Sequence, residues 1–154
     1  MLRISKLTDY GTVILAYMAS QPGRLLAAAE VAEHTAIALP TVSKLLKKLQ
    51  RSGLVCSTRG SHGGYQLAHA ASHVTAAQIL DALEGPVAIT ECSGQHSSCG
   101  IESSCRIGHA WQRLNGAIRQ ALNEVTLAQL SGLERSPISV PLSRIARPSS
   151  TDKA

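Results

Sequence analysis

A chain of 154 residues with 44% apolar content is long enough to bury one core, or a small domain with an appended dimerisation element, and too short for a multidomain enzyme. No apolar run reaches membrane-spanning length, and the opening MLRISKLTDYG lacks the apolar core and cleavage site of a secretory signal, so a cytoplasmic protein with no membrane partner is expected. The net charge of +5 is concentrated at the front: residues 1–70 hold eight Lys/Arg against three Asp/Glu, whereas residues 71–154 hold seven of each, so a polyanion partner would meet the first half, although a basic face kept for solubility gives the same balance.

In chain order, a first helix is expected from about Thr8-Asp9, with Tyr10, Val13, Ile14, Tyr17 and Met18 on one face and a stop at Gln21-Pro22-Gly23. A second, shorter helix follows from about Ala27 to His34, with Ala28, Val31 and Ala32 inside. A tight turn leads to Pro40, which is favoured at a first helical position. The third helix, Pro40 to about Ser52, is two-faced. Val42, Leu45, Leu46 and Leu49 form its apolar stripe, while Thr41, Ser43, Lys44, Lys47, Lys48 and Arg51 occupy the other side. Helix, turn and basic helix in that order match a helix-turn-helix whose last helix reads base edges in a major groove, although a solvated lysine face alone would give the same pattern.

Leu54–Arg59 and Tyr65–Ala68 alternate as strands around Gly60-Ser61-His62-Gly63-Gly64, which predicts a hairpin wing. Arg59 stands at the base of the glycine-rich tip that begins at Gly60, where the lack of bulk lets an arginine approach phosphates or a narrow minor groove. Cys56 in the first strand reads as a buried small hydrophobe. Thr75 is an expected N-cap for a helix carrying Ala76, Ile79, Leu80 and Leu83 and ending at Gly85-Pro86. Further on, Ile107, Trp111, Leu114, Ile118, Leu122 and Val125 form a narrow stripe suited to pairing with the same helix of a second subunit. No internal repeat stands out. The fold class expected is mostly α with a small β-hairpin wing: a winged helix-turn-helix over 1–85, a cysteine loop over 86–106, a long dimerisation helix over 107–130 and a flexible tail over 131–154.

The loop carries the chemistry. Cys92, Cys99 and Cys105 lie within the segment ECSGQHSSCGIESSC, spaced C-x6-C-x5-C, and they are three of the four cysteines in the chain. In a reducing compartment clustered thiolates point to zinc, an iron–sulfur cluster or a redox thiol sensor. The tight C-x2–4-C turn of most structural zinc sites is absent, as is the C-x-x-C of thiol–disulfide enzymes. A fourth ligand is open among His96 inside the loop, His109 four residues after Cys105, and Asp9. An acid in the first turn of a helix also favours the helix dipole with no metal present. No Ser-His-Asp arrangement, P-loop or dinucleotide fingerprint occurs, so an enzyme is not expected.

The chain resembles, over about residues 1–130, the winged-helix regulators that include the iron–sulfur regulator IscR and the nitric-oxide sensor NsrR. The resemblance rests on the opening MLRISKLTDYG, the run LPTVSKLLKKLQRSGLVCSTRGSHGGYQL, the three-cysteine loop and VTLAQL near the end of the long helix. The opening and the loop look most like the branch that regulates the SUF iron–sulfur assembly operon. This likeness implies a homodimeric transcription regulator, usually a repressor, that binds a double-stranded DNA operator according to its cluster state. It implies cluster ligation by Cys92, Cys99 and Cys105, the wing arginine role for Arg59, and base-side positions for Ser43 and Lys44. The first cysteine gap is one residue longer than in the better-known members, and His109 follows Cys105 at +4 where their ligand histidine follows at +3. Asp9 in LTDYG is similar to the acidic position that completes the cluster in the nitric-oxide sensor, so the fourth ligand and the choice between [2Fe–2S] and [4Fe–4S] stay open. The rival functions are a nitric-oxide or redox-responsive repressor of the same family, and a winged-helix interaction module with structural zinc.

Overall fold

The computed structural model describes residues 4–90 and 107–138, and Cys92, Cys99, Cys105 and His96 lie outside them. The described elements are α1 (Lys6–Ala19), α2 (Ala28–Thr35), α3 (Leu39–Arg51), the strands β1 (Val55–Thr58) and β2 (Gly64–Leu67), a 3-10 turn (Ala71–His73), α4 (Ala76–Leu83), α5 (Gly108–Glu124) and the short α6 (Leu127–Leu130). They make a mostly helical protein with one antiparallel hairpin, the winged-helix architecture the sequence predicts.

Helix α1 starts two residues earlier than expected, because the Ser5 hydroxyl accepts from the Thr8 N–H at 3.2 Å and so caps the helix. Its core face is Ile14, Leu15, Met18 and Ala19; Val13, expected inside, is 41% exposed. Helix α2 buries Val31, and Ala28 and Ala32 pack half-buried against the core. The α2–α3 turn passes through Ala36, a non-glycine residue in the left-handed region at φ 56°, and Pro40 sits in the first turn of α3. Val42, Leu45, Leu46 and Leu49 of α3 are all buried, as their spacing requires.

In the hairpin Val55 pairs with Leu67 and Thr58 with Gly64. Val55 carries the core contact of β1, and Cys56 is only half-buried, its thiol 3.7 Å from the Gln66 carbonyl, so the expected buried cysteine is displaced by its neighbour. The wing is braced from behind: Leu26 and Tyr65 exchange backbone hydrogen bonds of 2.8 Å in both directions. Such close approach needs a glycine next door, since a Cβ on Gly64 would sit 2.9 Å from the Leu26 carbonyl oxygen.

The chain after the wing departs most from expectation. The long helix stops at Glu124, Val125 is extended, and Thr126 caps α6 in a capping box with Gln129. Thr75 and Gln78 form the same box at the start of α4. The two caps lie side by side as an antiparallel bridge, with the Ala76 N–H donating to the Val125 carbonyl at 2.8 Å and the Leu127 N–H to the Val74 carbonyl at 2.7 Å. A short repeat, Val-Thr-x-Ala-Gln at 74–78 and 125–129, underlies this pairing. Val125 therefore leaves the expected dimer stripe and VTLAQL the expected long helix, with Leu127 drawn fully into the core of the winged domain. Of the expected tail only the residues up to Ile138 are described.

Helices α1 and α4 are clasped at one end. A Glu84 carboxylate oxygen accepts from the Thr8 hydroxyl at 2.5 Å and from the Ser5 N–H at 2.9 Å. Those bonds, Thr8 first and then Ser5, hold the Glu84 carboxyl below its ordinary value against a weak opposing effect of burial, with the positive charge of Lys48 adding to them.

Two outcomes follow from these contacts. Leu127→Ala should cost about 2–5 kcal/mol in urea denaturation, as for a large side chain deleted from a closed core. Glu84 has a depressed folded-state pKa, so its stabilising effect is full above the ordinary value of 4.5 and is lost as pH falls through the lower folded value. Glu84→Gln should therefore be less stable than wild type at neutral pH, and the difference should shrink in melts at successively more acid pH.

Candidate nucleic-acid interface and metal centre

Burying the apolar stripe of α3 turns the opposite side outward. Lys44, Lys47 and Arg51 lie on that exposed side, and Thr41 and Ser43 sit half-buried on its two shoulders. Two side-chain bonds fix the helix to its neighbours. The Gln50 amide donates to the Ser57 hydroxyl at 2.7 Å, joining α3 to the first wing strand. On the other shoulder the Lys48 ammonium donates to the Leu83 carbonyl at 2.6 Å, joining α3 to the end of α4. Lys48, grouped by sequence with the outward lysines, thus has a partner within the fold.

The wing places Arg59 and Gly60 in solvent. Gly60 adopts φ 120°, a conformation that side chains rarely tolerate, and the Gly63 N–H closes the turn on the Gly60 carbonyl at 3.0 Å. His62 at the tip shares a 3.1 Å hydrogen bond with the Ser61 hydroxyl. Five exposed basic side chains, Lys44, Lys47, Lys48, Arg51 and Arg59, are thereby carried by one helix and the braced hairpin that is bonded to it. Basic side chains in that arrangement can meet phosphates and base edges of a duplex.

The metal candidates are only partly described. Asp9 is exposed in the first turn of α1, next to Thr8, whose own hydroxyl is committed to Glu84. His109 is exposed in the first turn of α5, which begins at Gly108. Among the described residues no group of three His, Cys, Asp or Glu side chains converges, and the three thiols belong to the segment outside them. The donor set itself is suited to a soft or borderline metal or an iron–sulfur cluster: three thiolates close in sequence, with a carboxylate or an imidazole for a further position.

Helix α5 is tied back to the winged domain. The Arg119 guanidinium makes two bonds to the Asp81 carboxylate of α4, at 2.9 and 2.5 Å, in the fork geometry that favours this pairing. The hydrogen bond and then the charge of Asp81 push the Arg119 pKa further up. Along the expected dimer stripe, Leu114, Ile118 and Leu122 are half-buried, whereas Ile107 is 63% and Trp111 39% exposed. Sequence reasoning missed the Arg119–Asp81 pair, the Lys48–Leu83 bond and the Gln50–Ser57 bond. None has a local signal, although the duplicated Val-Thr-x-Ala-Gln was available to show that α5 ends early.

Solved structures of the same architecture are similar over nearly the whole chain. The global cysteine regulator CymR of B. subtilis is 27% identical, covers 87% of this chain and 99% of its own, and superposes with a TM-score of 0.66. The oxidized form of CymR from Staphylococcus aureus is also 27% identical, over 88% of this chain and 100% of its own, with a TM-score of 0.62. IscR of T. potens shares the fold at 24% identity, over 93% and 96% of the two chains, with a TM-score of 0.62. Among the described residues no helix is long and apolar enough to cross a membrane. Residues 4–132 match the model of the Rrf2 family, described as an iron-dependent transcriptional regulator; the chain belongs to that family and is a transcription regulator, not an enzyme.

Proposed function

We propose that the protein is a homodimeric, DNA-binding repressor that senses iron–sulfur cluster status and controls genes of cluster assembly, in the manner of the SUF branch. The observation that carries the sensing half is the donor set: Cys92, Cys99 and Cys105 are concentrated in one short segment between α4 and α5. These three thiolates would hold the cluster, with Asp9 or His109 completing it. When bound, the cluster supplies a [2Fe–2S] or [4Fe–4S] centre whose presence depends on iron, sulfide and oxidant. The chain's own part is to pass that presence to the reader, and differential DNA affinity of the two states is the coupling.

The DNA-binding half of the reading is supported by the outward face of α3 and by the wing. Thr41, Ser43, Lys44, Lys47 and Arg51 meet a major groove, and Arg59 with Gly60 meets the backbone or the adjoining minor groove. The homodimer is supported by Ile107 and Trp111, large apolar side chains exposed at the start of α5, in line with half-buried Leu114, Ile118 and Leu122. A two-fold pair along α5 presents two copies of α3 to successive half-sites. A thiol-redox or nitric-oxide response by the same cysteines is the second reading, favoured by the likeness to a regulator whose structure was solved in an oxidized form.

Anaerobic purification should give a coloured protein with visible absorption and matching iron and sulfide content. Replacing Cys92, Cys99 and Cys105 together by Ala should abolish both; a colourless wild type with stoichiometric zinc would overturn the cluster, and a colourless, metal-free protein that changes affinity on oxidation would favour the second reading. Lys44→Ala, Lys47→Ala and Arg51→Ala combined should weaken operator binding and reduce the slope of log affinity against log salt by about 0.9 for each phosphate that is no longer neutralised, as read by titration at several salt concentrations.

A further inference from the structure

Lys48 behaves differently from the other cations of α3. All four cations of the helix, Lys44, Lys47, Lys48 and Arg51, are exposed, but the Lys48 ammonium donates to the Leu83 carbonyl at 2.6 Å. That carbonyl belongs to the last turn of α4, where a helix leaves carbonyls without partners of its own and where the negative end of its dipole attracts a cation.

The same short stretch of α4 is held from two further directions. Glu84, directly after Leu83, accepts from Ser5 and Thr8 at the start of α1. Asp81, two residues before Leu83, takes the double bond pair from Arg119 of α5. Four residues, Asp81 to Glu84, thus gather bonds from α1, α3 and α5, and α5 follows directly on the cysteine segment.

We propose that Lys48 is a positioning residue, not a DNA contact. It fixes α3 to the end of α4, so that a shift of α5 acting through Arg119 and Asp81 changes how Lys44, Lys47 and Arg51 are presented to a groove. This rests on reading α3 as the helix that faces DNA. A lysine that touches phosphate strengthens binding to operator and random-sequence DNA alike and contributes to the salt slope. A lysine that sets the angle of the helix affects the operator selectively, because only base contacts and half-site spacing depend on that angle.

The experiment compares Lys48→Met with Lys44→Ala in the full-length protein, measuring affinity for an operator and for random duplex across a range of salt. Lys48→Met should lower the operator-to-random ratio at least about five-fold and leave the salt slope unchanged, while Lys44→Ala should lower the slope by about 1 for each phosphate it neutralises. An equal loss on both DNAs with a reduced slope in Lys48→Met would overturn the proposal. If Lys44→Ala also leaves both affinity and slope unchanged, α3 does not face DNA and the proposal falls with that reading. Lysine acylation of the wild type, read by mass spectrometry, covers the case in which Lys48→Met fails to fold. Lys48 should react to the same extent with and without operator bound, whereas Lys44 and Lys47 should become protected; labelling of Lys48 that operator suppresses would refute the assignment.

Discussion

The burial of one side of α3 is the constraint on which the remainder of the molecule depends. Val42, Leu45, Leu46 and Leu49 are between 0% and 2% exposed, and turning them into solvent would forfeit roughly 1.5–3 kcal/mol for each side chain. The rotation of the helix about its axis is therefore decided by its apolar residues, and the direction of its basic residues follows without further instruction. Rotation alone does not determine tilt. Packing against α1, α2 and β1 sets the tilt, and two side-chain bonds add to it at the shoulders, from Gln50 to the wing strand and from Lys48 to α4.

Helix α4 is short, yet it meets α1, α3 and α5 by different means. Its crossing with α1 is so close that a Cβ on Gly11 would collide with the Leu83 side chain, and its polar end is capped by Ser5 and Thr8. Its contact with α5 is a forked ion pair that is partly open to solvent, the two side chains being 37% and 29% exposed. An exposed pair of this kind adds little to stability, on the order of 0–1 kcal/mol, but its planar geometry fixes direction. Close packing on one side and a directional polar contact on the other hold α4 between α1 and α5.

Much of the reader domain was legible in the sequence because its signals are local. The α3 stripe, Pro40 after the turn, the glycines of the wing and Thr75 as a cap each act within a few residues, and the structure places each element close to where these signals put it. The errors arose where a distant partner decided the outcome. Val13 has helical spacing yet faces solvent, because neighbouring Ile14 and Leu15 fill the space offered by the core. Val125 fits the stripe of α5 by periodicity, but the backbone pairing of Thr126 with Thr75 ends the helix before it. The bond from Lys48 to the Leu83 carbonyl has no local signal either, since it depends on the approach of α4. For the cysteine site the sequence remains the main source of information, since Asp9 and His109 are the only proposed ligands among the described residues.

The bridge between the two threonine caps also bears on how such a protein can change over time. Because Thr75 and Thr126 are paired, the chain between them, with the thiols inside it, is an excursion closed at its base. Lengthening a closed excursion is thermodynamically inexpensive, about 0.6 kcal/mol for each doubling. Insertions and deletions among the three cysteines can then accumulate without disturbing the paired caps at its base. A regulator assembled in this way can vary that segment in length while keeping its winged domain.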